Sequence, residues 1–304
     1  MAGSKKYLVV IAGPTAAGKT SLAIEIAKHY HTEIISADSR QFYRELNAGT
    51  AKPSEEQLRR VKHHFINNKS IAELYGAGHF EKEAVKLLEQ LFKEHDVVLL
   101  VGGSGLYINA VLNGVDEFDE VPAELRMQLT SEFKSRGLAW LQEEVKKHDP
   151  RYSETVDNNN PQRLMRALEV CIHSGKPYSE FISRKKIRRA FMPVKILINP
   201  PREQLYKNIN TRTDEMMKNG LLEETKALLP FRHHNALKTV GYNELFEYLD
   251  GKRTLEQAVE KIKQHTRNYA KRQITWFKNK ETFREFEPGH LREIIQFTDS
   301  IING

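Results

Sequence analysis

The run Gly13-Pro14-Thr15-Ala16-Ala17-Gly18-Lys19-Thr20 has the spacing G-x-x-x-x-G-K-[ST], and it falls directly after an apolar stretch and directly before a helical one. These residue types suit one task, holding a chain of phosphates. The glycines let the backbone curl so that its N–H groups point inward, and the start of the next helix adds a positive partial charge. Lys19 then reaches an outer phosphate, and Thr20 offers its hydroxyl to Mg²⁺. A glycine-rich turn without a ligand needs neither residue at these places.

An enzyme that hydrolyses ATP or GTP with such a loop usually carries an apolar strand ending in an acidic residue that helps to hold the metal. The candidate strand, Val97-Val98-Leu99-Leu100-Val101, runs instead into Gly102-Gly103-Ser104-Gly105. This points to a loop that holds a diphosphate as a leaving group, although Asp38 could still serve a metal. Asp38 opens Asp38-Ser39-Arg40-Gln41 at the carboxyl end of a second apolar run, the edge where open α/β sheets place their ligands. Its carboxylate there could take a proton from a nucleophile, coordinate metal or merely cap a turn, while Gln41 could pair with the edge of an adenine. Ser104 lies in a comparable place, where a hydroxyl beside backbone N–H groups could stabilise charge near the diphosphate. His63 and His64 lack further ligands at metal-binding spacing and are expected as loop or core residues.

Two helical runs carry basic faces. Asn160 and Pro161 make a helix start, Leu164, Leu168 and Ile172 form its expected buried stripe, and Arg163 and Arg166 share the opposite side at i, i+3 spacing. Farther on, Lys263, Arg267, Lys271 and Lys278 fall in one narrow sector, with Ile262, Tyr269, Gln273 and Trp276 on the other side and the aromatics expected mostly in the core. Like charges on one stripe repel, so a phosphate backbone explains them better than solvation alone.

The elements that must position these groups alternate. Apolar runs at Tyr7 to Ala12, Glu33 to Ala37, Val97 to Val101 and Val194 to Ile198 read as buried parallel strands, and helical periods over Ser21 to Tyr30 and Phe80 to His95 separate the first three. The expected fold class is α/β, a P-loop NTPase-like parallel sheet core with an all-helical insertion and C-terminal helices. Residues 1–116 and 194–304 form the core and 117–193 the insertion, with helices at Pro122 to Lys134, Leu138 to Lys147 and Pro161 to Ser174. The longest of the final helices is expected at about Leu255 to Lys278.

Composition sets the bounds. The chain has 304 residues, 39% hydrophobic and 29% charged, enough for a sizeable core and unlike a disordered chain. Its single cysteine, Cys171, excludes an internal disulfide framework and a structural zinc site, which fits a reducing, cytoplasmic setting. The apolar run in MAGSKKYLVVIAG is too short for a signal-peptide core and ends in the phosphate loop, and no stretch approaches the roughly 18 apolar residues of a membrane span. The expectation is a soluble protein with no membrane partner. The formal charge of +7 favours an anionic partner without identifying it.

Taken together, the motifs resemble those of the tRNA dimethylallyltransferases, also called tRNA isopentenyltransferases, over nearly the whole chain. The resemblance rests on the phosphate loop, on Ile35-Ser36-Ala37-Asp38-Ser39-Arg40-Gln41-Phe42-Tyr43-Arg44 and on Gly49-Thr50-Ala51-Lys52-Pro53. It continues through Gly102-Gly103-Ser104-Gly105-Leu106-Tyr107, the stretch from Gln162-Arg163 to Glu169, Val240-Gly241-Tyr242, and Thr266 to Phe277. It implies that the loop binds dimethylallyl diphosphate, and that the acceptor is the exocyclic amine of the adenosine just 3′ of the anticodon, position 37. It further implies Asp38 as general base, Gln41 fixing the adenine, Lys19, Ser104 and the loop amides stabilising the departing diphosphate, and Mg²⁺ near Thr20. Contacts to the tRNA anticodon stem-loop are implied for Asp38, Ser39, Arg40, Gln41, Ser104, Arg126, Gln162, Arg163, Arg166, Arg267 and Lys271. Where the family commonly has threonine this chain has Ser104, which keeps the hydroxyl. The chain lacks the cysteine and histidine spacing of the zinc finger in eukaryotic relatives, which favours a bacterial-type, single-chain enzyme, expected as a monomer.

Two other readings compete: a P-loop kinase in which Asp38 activates a hydroxyl and the insertion is a lid, and a basic RNA-binding protein that uses nucleotide as a switch. Both leave the later motifs unexplained.

Overall fold

A computed structural model describes residues 5–116, 118–182 and 187–304. The first four residues of the amino-terminal run, and Glu117 at the expected start of the insertion, lie outside them. The chain forms two compact units, one made of Met1–Asn113 with Arg188–Gly304, the other of Gly114–Ile187.

In chain order the first unit begins with β1 Tyr7–Ala12, α1 Lys19–His29, β2 Ile34–Ser36, α2 Glu55–Arg60, β3 His63–His64, α3 Ala77–Leu91, β4 Val97–Gly102 and α4 Gly105–Asn113. The second unit holds α5 Ala123–His148, α6 Pro150–Ser153, α7 Pro161–Ser174 and α8 Tyr178–Phe181. The first unit resumes with β5 Met192–Ile198, α9 Arg202–Lys218, α10 Leu221–Ala227, α11 Tyr242–Leu249, α12 Leu255–Lys280, β6 Arg284–Phe286 and α13 Leu291–Ile302.

The six strands make one parallel sheet in the order β3-β2-β4-β1-β5-β6. In β1 every residue is buried, and successive side chains go to opposite faces, as the two-residue period of a strand requires. Leu8, Val10 and Ala12 join a core with Phe80, Ala84 and Leu88 of α3 and Phe277 of α12. Tyr7, Val9 and Ile11 join the opposite core with Leu22, Ile24 and Ile26 of α1 and Ile294 of α13. A sheet covered on both faces needs apolar residues at every position, which is why its central strands read as unbroken apolar runs. Because all strands point the same way, the segments after β1, β2, β4 and β5 emerge at one edge.

Two strands differ from the sequence expectation. His63 and His64 form the edge strand β3, where His64 pairs with Glu33 at 2.5 Å, and β6 is the exposed run Arg284–Phe286. Each is two or three residues long, too short to show a period.

In the second unit, α5 is interrupted at Gly137, whose φ of 77° lies in the left-handed region, so it consists of two helices as the sequence pattern suggests. α7 is capped by the Asn160 side chain, has Pro161 in its first turn and ends at Gly175 with φ of 68°. Leu164 and Leu168 are buried against Leu129, Trp140 and Leu141. Ile172, the expected third member of that stripe, is instead 38% exposed. The chain after α7 folds back along the adjacent side, where the Tyr178 N–H donates to Cys171 Sγ at 3.2 Å, so Cys171 is buried and Ile172 is left outside. Where the chain re-enters the first unit, Arg189 anchors it by donating to the carbonyls of Ala110 and Val111 and to Glu81.

Candidate active site

Four polar groups meet at the carboxyl edge of the sheet because four chain segments leave it there. The phosphate loop between β1 and α1 turns on Gly18, whose φ of 79° favours glycine, and Ala16 sits at φ 62°, a conformation that a β-carbon makes costly. α12 and α9 hold the loop in this shape. The Thr15 N–H donates to Gln273 Oε1 at 2.9 Å, Gln273 Nε2 donates to the Gly103 carbonyl at 2.7 Å, and Asn208 Nδ2 donates to the Ala16 carbonyl at 3.1 Å. Gln273 is buried, so one side chain from α12 ties the phosphate loop to the segment that follows β4.

Gly13 to Thr20 thus form a concave turn whose lysine points back into it. Lys19 Nζ donates to the Pro14 carbonyl at 2.6 Å. Burial pulls its pKa down to about 8, with Asp38 pulling it up and Arg212 pushing it farther down. Arg212, on α9, is itself lowered by burial and supported by Asp38 and Glu215. Lys19, Asp38 and Arg212 are therefore one electrostatic cluster, two cations with a carboxylate between their influences. Arg212 carries no motif signal in the sequence, being a single arginine in a polar helix.

The Asp38 Oδ1 accepts the Arg40 N–H at 2.9 Å, so the residue caps a turn. The Ser39 N–H donates to Ser104 Oγ at 3.1 Å, which locks the segment after β2 to the segment after β4. Tyr269 of α12, expected in the core with the other aromatics, instead lines the cleft with Gln273. Burial first, then Asp38, push its phenol up to about 12, while Arg40 and a hydrogen bond with Ser104 oppose that rise. Arg40 donates from Nη1 to the Ser39 carbonyl, and its Nε is buried without a hydrogen-bond partner. Gln41 accepts from the Ser36 hydroxyl at 3.0 Å and donates to the Ala51 carbonyl at 3.2 Å, so its amide is held between the strand and the next loop.

That next loop is fixed by a residue outside the expected site. Glu224 of α10 accepts from the N–H groups of Asn47, Ala48 and Gly49 and from the Tyr242 hydroxyl. A β-carbon on Gly49 would lie 2.6 Å from the Tyr242 ring, so these two motif residues depend on each other. Lys52 completes the loop, donating to the Tyr43 carbonyl and to Asn47 and Asn67, and burial lowers its pKa to about 8. Together these segments bound a cleft of about 1200 Å³, whose walls include Thr20, Lys19, Asp38, Arg40, Arg212 and Tyr269.

The remaining basic residues fall into two groups. In the second unit, Arg126 places Nε and Nη2 on the two oxygens of buried Glu169, and Arg166 joins the same carboxylate at 3.5 Å while lying 5.0 Å over Phe118. Gln162 and Arg163 are exposed on the first turn of α7. On α12 the stripe is less purely basic than expected: Lys263 pairs with Asp214 and Glu260, Lys278 pairs with Glu285, Arg267 donates to Asn210, and Lys271 is exposed. Among the described residues no cluster of three His, Cys, Asp or Glu side chains could hold a metal by itself, and no helix is long and apolar enough to cross a membrane.

The chain is similar to known proteins over nearly its whole length. The IPP transferase family model matches residues 41–280. The chain is 48% identical to a tRNA dimethylallyltransferase of Christiangramia forsetii, covering 98% of this chain and 99% of that protein. It is 50% identical to a Flavobacterium johnsoniae protein of the same name, covering 96% and 97%. Among solved structures it resembles the full-length tRNA isopentenylpyrophosphate transferase of Bacillus halodurans, with TM-score 0.71, 35% identity and coverage of 98% and 96%. A eukaryotic dimethylallyltransferase acting on tRNA aligns with TM-score 0.82 and 26% identity, covering 98% of this chain and 80% of that one.

Proposed function

The chain belongs to the IPP transferase family, and from that premise we propose that it transfers a dimethylallyl group from dimethylallyl diphosphate to the exocyclic amine of the adenosine at position 37 of tRNA. The observation that carries this reading is the juxtaposition of a carboxylate, Asp38, with a phosphate cradle and two cations, Lys19 and Arg212, in one cleft.

In the reaction the amine nitrogen bonds to the allylic carbon, that carbon's bond to oxygen breaks, diphosphate leaves and the amine's proton passes to Asp38. An aromatic amine is a poor nucleophile, so the rate depends on charge developing on the leaving diphosphate inside a site that excludes water. The loop amides, Lys19 and Arg212 meet that charge, with Ser104 beside them through its contact with Ser39. Gln41 fixes the adenine edge, which requires its amide to exchange the Ser36 or Ala51 contact for the base. The unpartnered Nε of Arg40 is a donor waiting for an acceptor, which suits an RNA group entering the cleft.

The donor set also fits Mg²⁺. Thr20 and Asp38 are hard oxygen donors on the cleft wall, and Mg²⁺ typically takes only one or two protein ligands beside phosphate oxygens and water. Bound there through Thr20, it would neutralise diphosphate charge. Removal of divalent cations with EDTA should abolish transfer, with readdition of Mg²⁺ restoring it.

The acceptor base must leave its stack to reach Asp38, at a cost of about a few kcal/mol, and contacts to the anticodon stem-loop offset that cost. Arg126, Gln162, Arg163 and Arg166 on the helical unit, and Arg267 and Lys271 on α12, are the residues proposed for them. The enzyme acts on tRNA in the cytoplasm as a monomer. Incubating the protein with Mg²⁺, unmodified tRNA and labelled dimethylallyl diphosphate, beside a parallel ATP reaction, tests the reading. Label on adenosine 37 is the expected result, whereas unlabelled RNA with ATP consumed would favour the kinase.

A further inference from the structure

A second cavity, of about 420 Å³, lies between the start of α9 and the outer face of α12 and shares no lining residue with the cleft. Its wall includes Tyr206 and Ile274, which pack against the buried cluster of Leu205, Ile209 and Ala270, and Ala16 of the phosphate loop packs against the same cluster. The Tyr206 ring lies 5.1 Å from the Arg202 guanidinium and 5.9 Å from that of Arg267. Lys271 and Glu287 also line the cavity, and among the described residues Arg202 and Lys271 have no ion-pair partner.

This combination has a specific chemistry. An aromatic face beside guanidinium planes receives the π-face of a nucleobase, and ammonium and guanidinium groups at the rim receive its phosphate. A lone carboxylate in the wall accepts from an exocyclic amine. A purely anionic small ligand has no need of the tyrosine, and a purely apolar one has no need of unpaired cations. The volume is within the range of small-ligand pockets and exceeds what a phosphate alone requires. Arg267 and Lys271 belong to the face proposed above for tRNA, so an RNA strand following that face passes the cavity mouth.

We propose that this cavity is a base-binding subsite: it takes one unpaired nucleotide of the tRNA other than the acceptor adenosine, its base on Tyr206 and its phosphate against Lys271. The subsite rests on the tRNA reading above and deepens it, because it gives the enzyme a second point at which to hold a loop whose acceptor base has been extruded. The cluster of Leu205, Ile209 and Ala270, against which both Tyr206 and Ala16 pack, joins that hold to the diphosphate cradle.

The test is a coupling experiment with an anticodon stem-loop RNA in which each loop nucleotide outside the acceptor is replaced in turn by an abasic one. With the native chain, base removal at one position should weaken binding about tenfold. Tyr206→Leu should weaken the intact RNA by a similar factor and show almost no further loss at that position, whereas Tyr206→Phe, which keeps the ring, should behave as the native chain does. Affinity for inorganic diphosphate, which reports the phosphate loop, should be unchanged in both variants. Abasic replacements that are all silent, or a Tyr206→Phe variant as weak as Tyr206→Leu, overturn the subsite. Normal transfer to tRNA with no coupling at Tyr206 overturns the subsite alone, and a native chain that neither binds nor alkylates the RNA overturns the tRNA reading with it.

Discussion

At Asp38 one oxygen, Oδ1, is committed to the Arg40 N–H, so replacing the residue removes a cap as well as the proposed base. The two losses separate in measurement. Asp38→Ala should lower turnover roughly a thousandfold, the usual scale for a positioned general base, while tRNA affinity changes little. Unchanged turnover would leave the turn as its only role. Lys19 offers a pH-dependent test. Burial places its pKa at about 8, and the cationic form binds an anion, so diphosphate affinity should be level below about pH 8 and fall as the pH rises through that value. Lys19→Arg, whose guanidinium stays charged, should lose that fall in a calorimetric titration, and an identical profile would remove Lys19 from the binding site. At this scale the sequence was informative where types and spacing recur, as in Gly13 to Thr20. It was silent on Arg212 and Glu224, whose roles arise only when α9 and α10 fold against loops far away in the chain.

Among the elements, α12 does the most to unite distant parts of the site. Its buried Gln273 bonds both the Thr15 N–H and the Gly103 carbonyl, and Tyr269, one turn earlier, faces Asp38 and Ser104. Gln273→Ala would leave the part-buried Thr15 N–H and the buried Gly103 carbonyl unmatched, a cost of about 2 kcal/mol, and would release the loop's first turn. The expected result is a lower melting temperature together with weaker diphosphate binding; a loss of stability with full diphosphate affinity would show that the loop holds its shape without α12. The helix itself was legible from its period, yet the period assigned Tyr269 to the core, because a surface that faces a cleft is as shielded as one that faces a sheet. The central strands were legible because both faces of the sheet are covered, whereas β3 and β6, at the edges, have neither the length nor the apolar character that marks a strand.

For the whole molecule the relevant quantity is how much of the formal charge of +7 is available to RNA. Summing like-signed residues along helices overstates it. Arg126 and Arg166 share the one carboxylate of Glu169, Lys263 is held by Asp214 and Glu260, and Lys278 by Glu285, so part of this charge is already offset by partner anions. Arg163 and Lys271 are exposed, and among the described residues neither has an ion-pair partner. Counterion release depends on net phosphate neutralisation, and each phosphate contact contributes roughly 0.7 to 0.9 to the slope of log affinity against log salt. Arg163→Ala and Lys271→Ala should therefore each weaken tRNA binding and flatten that slope by close to this amount, and the double variant by about twice it, since the two residues lie on different units. Lys278→Ala, which frees Glu285 as it removes a cation, should weaken binding while moving the slope less. Measuring affinity across a salt series for the native chain and the four variants decides the matter: equal slopes throughout would make these faces solvated surface, and equal effects from paired and unpaired lysines would show that RNA displaces the carboxylates.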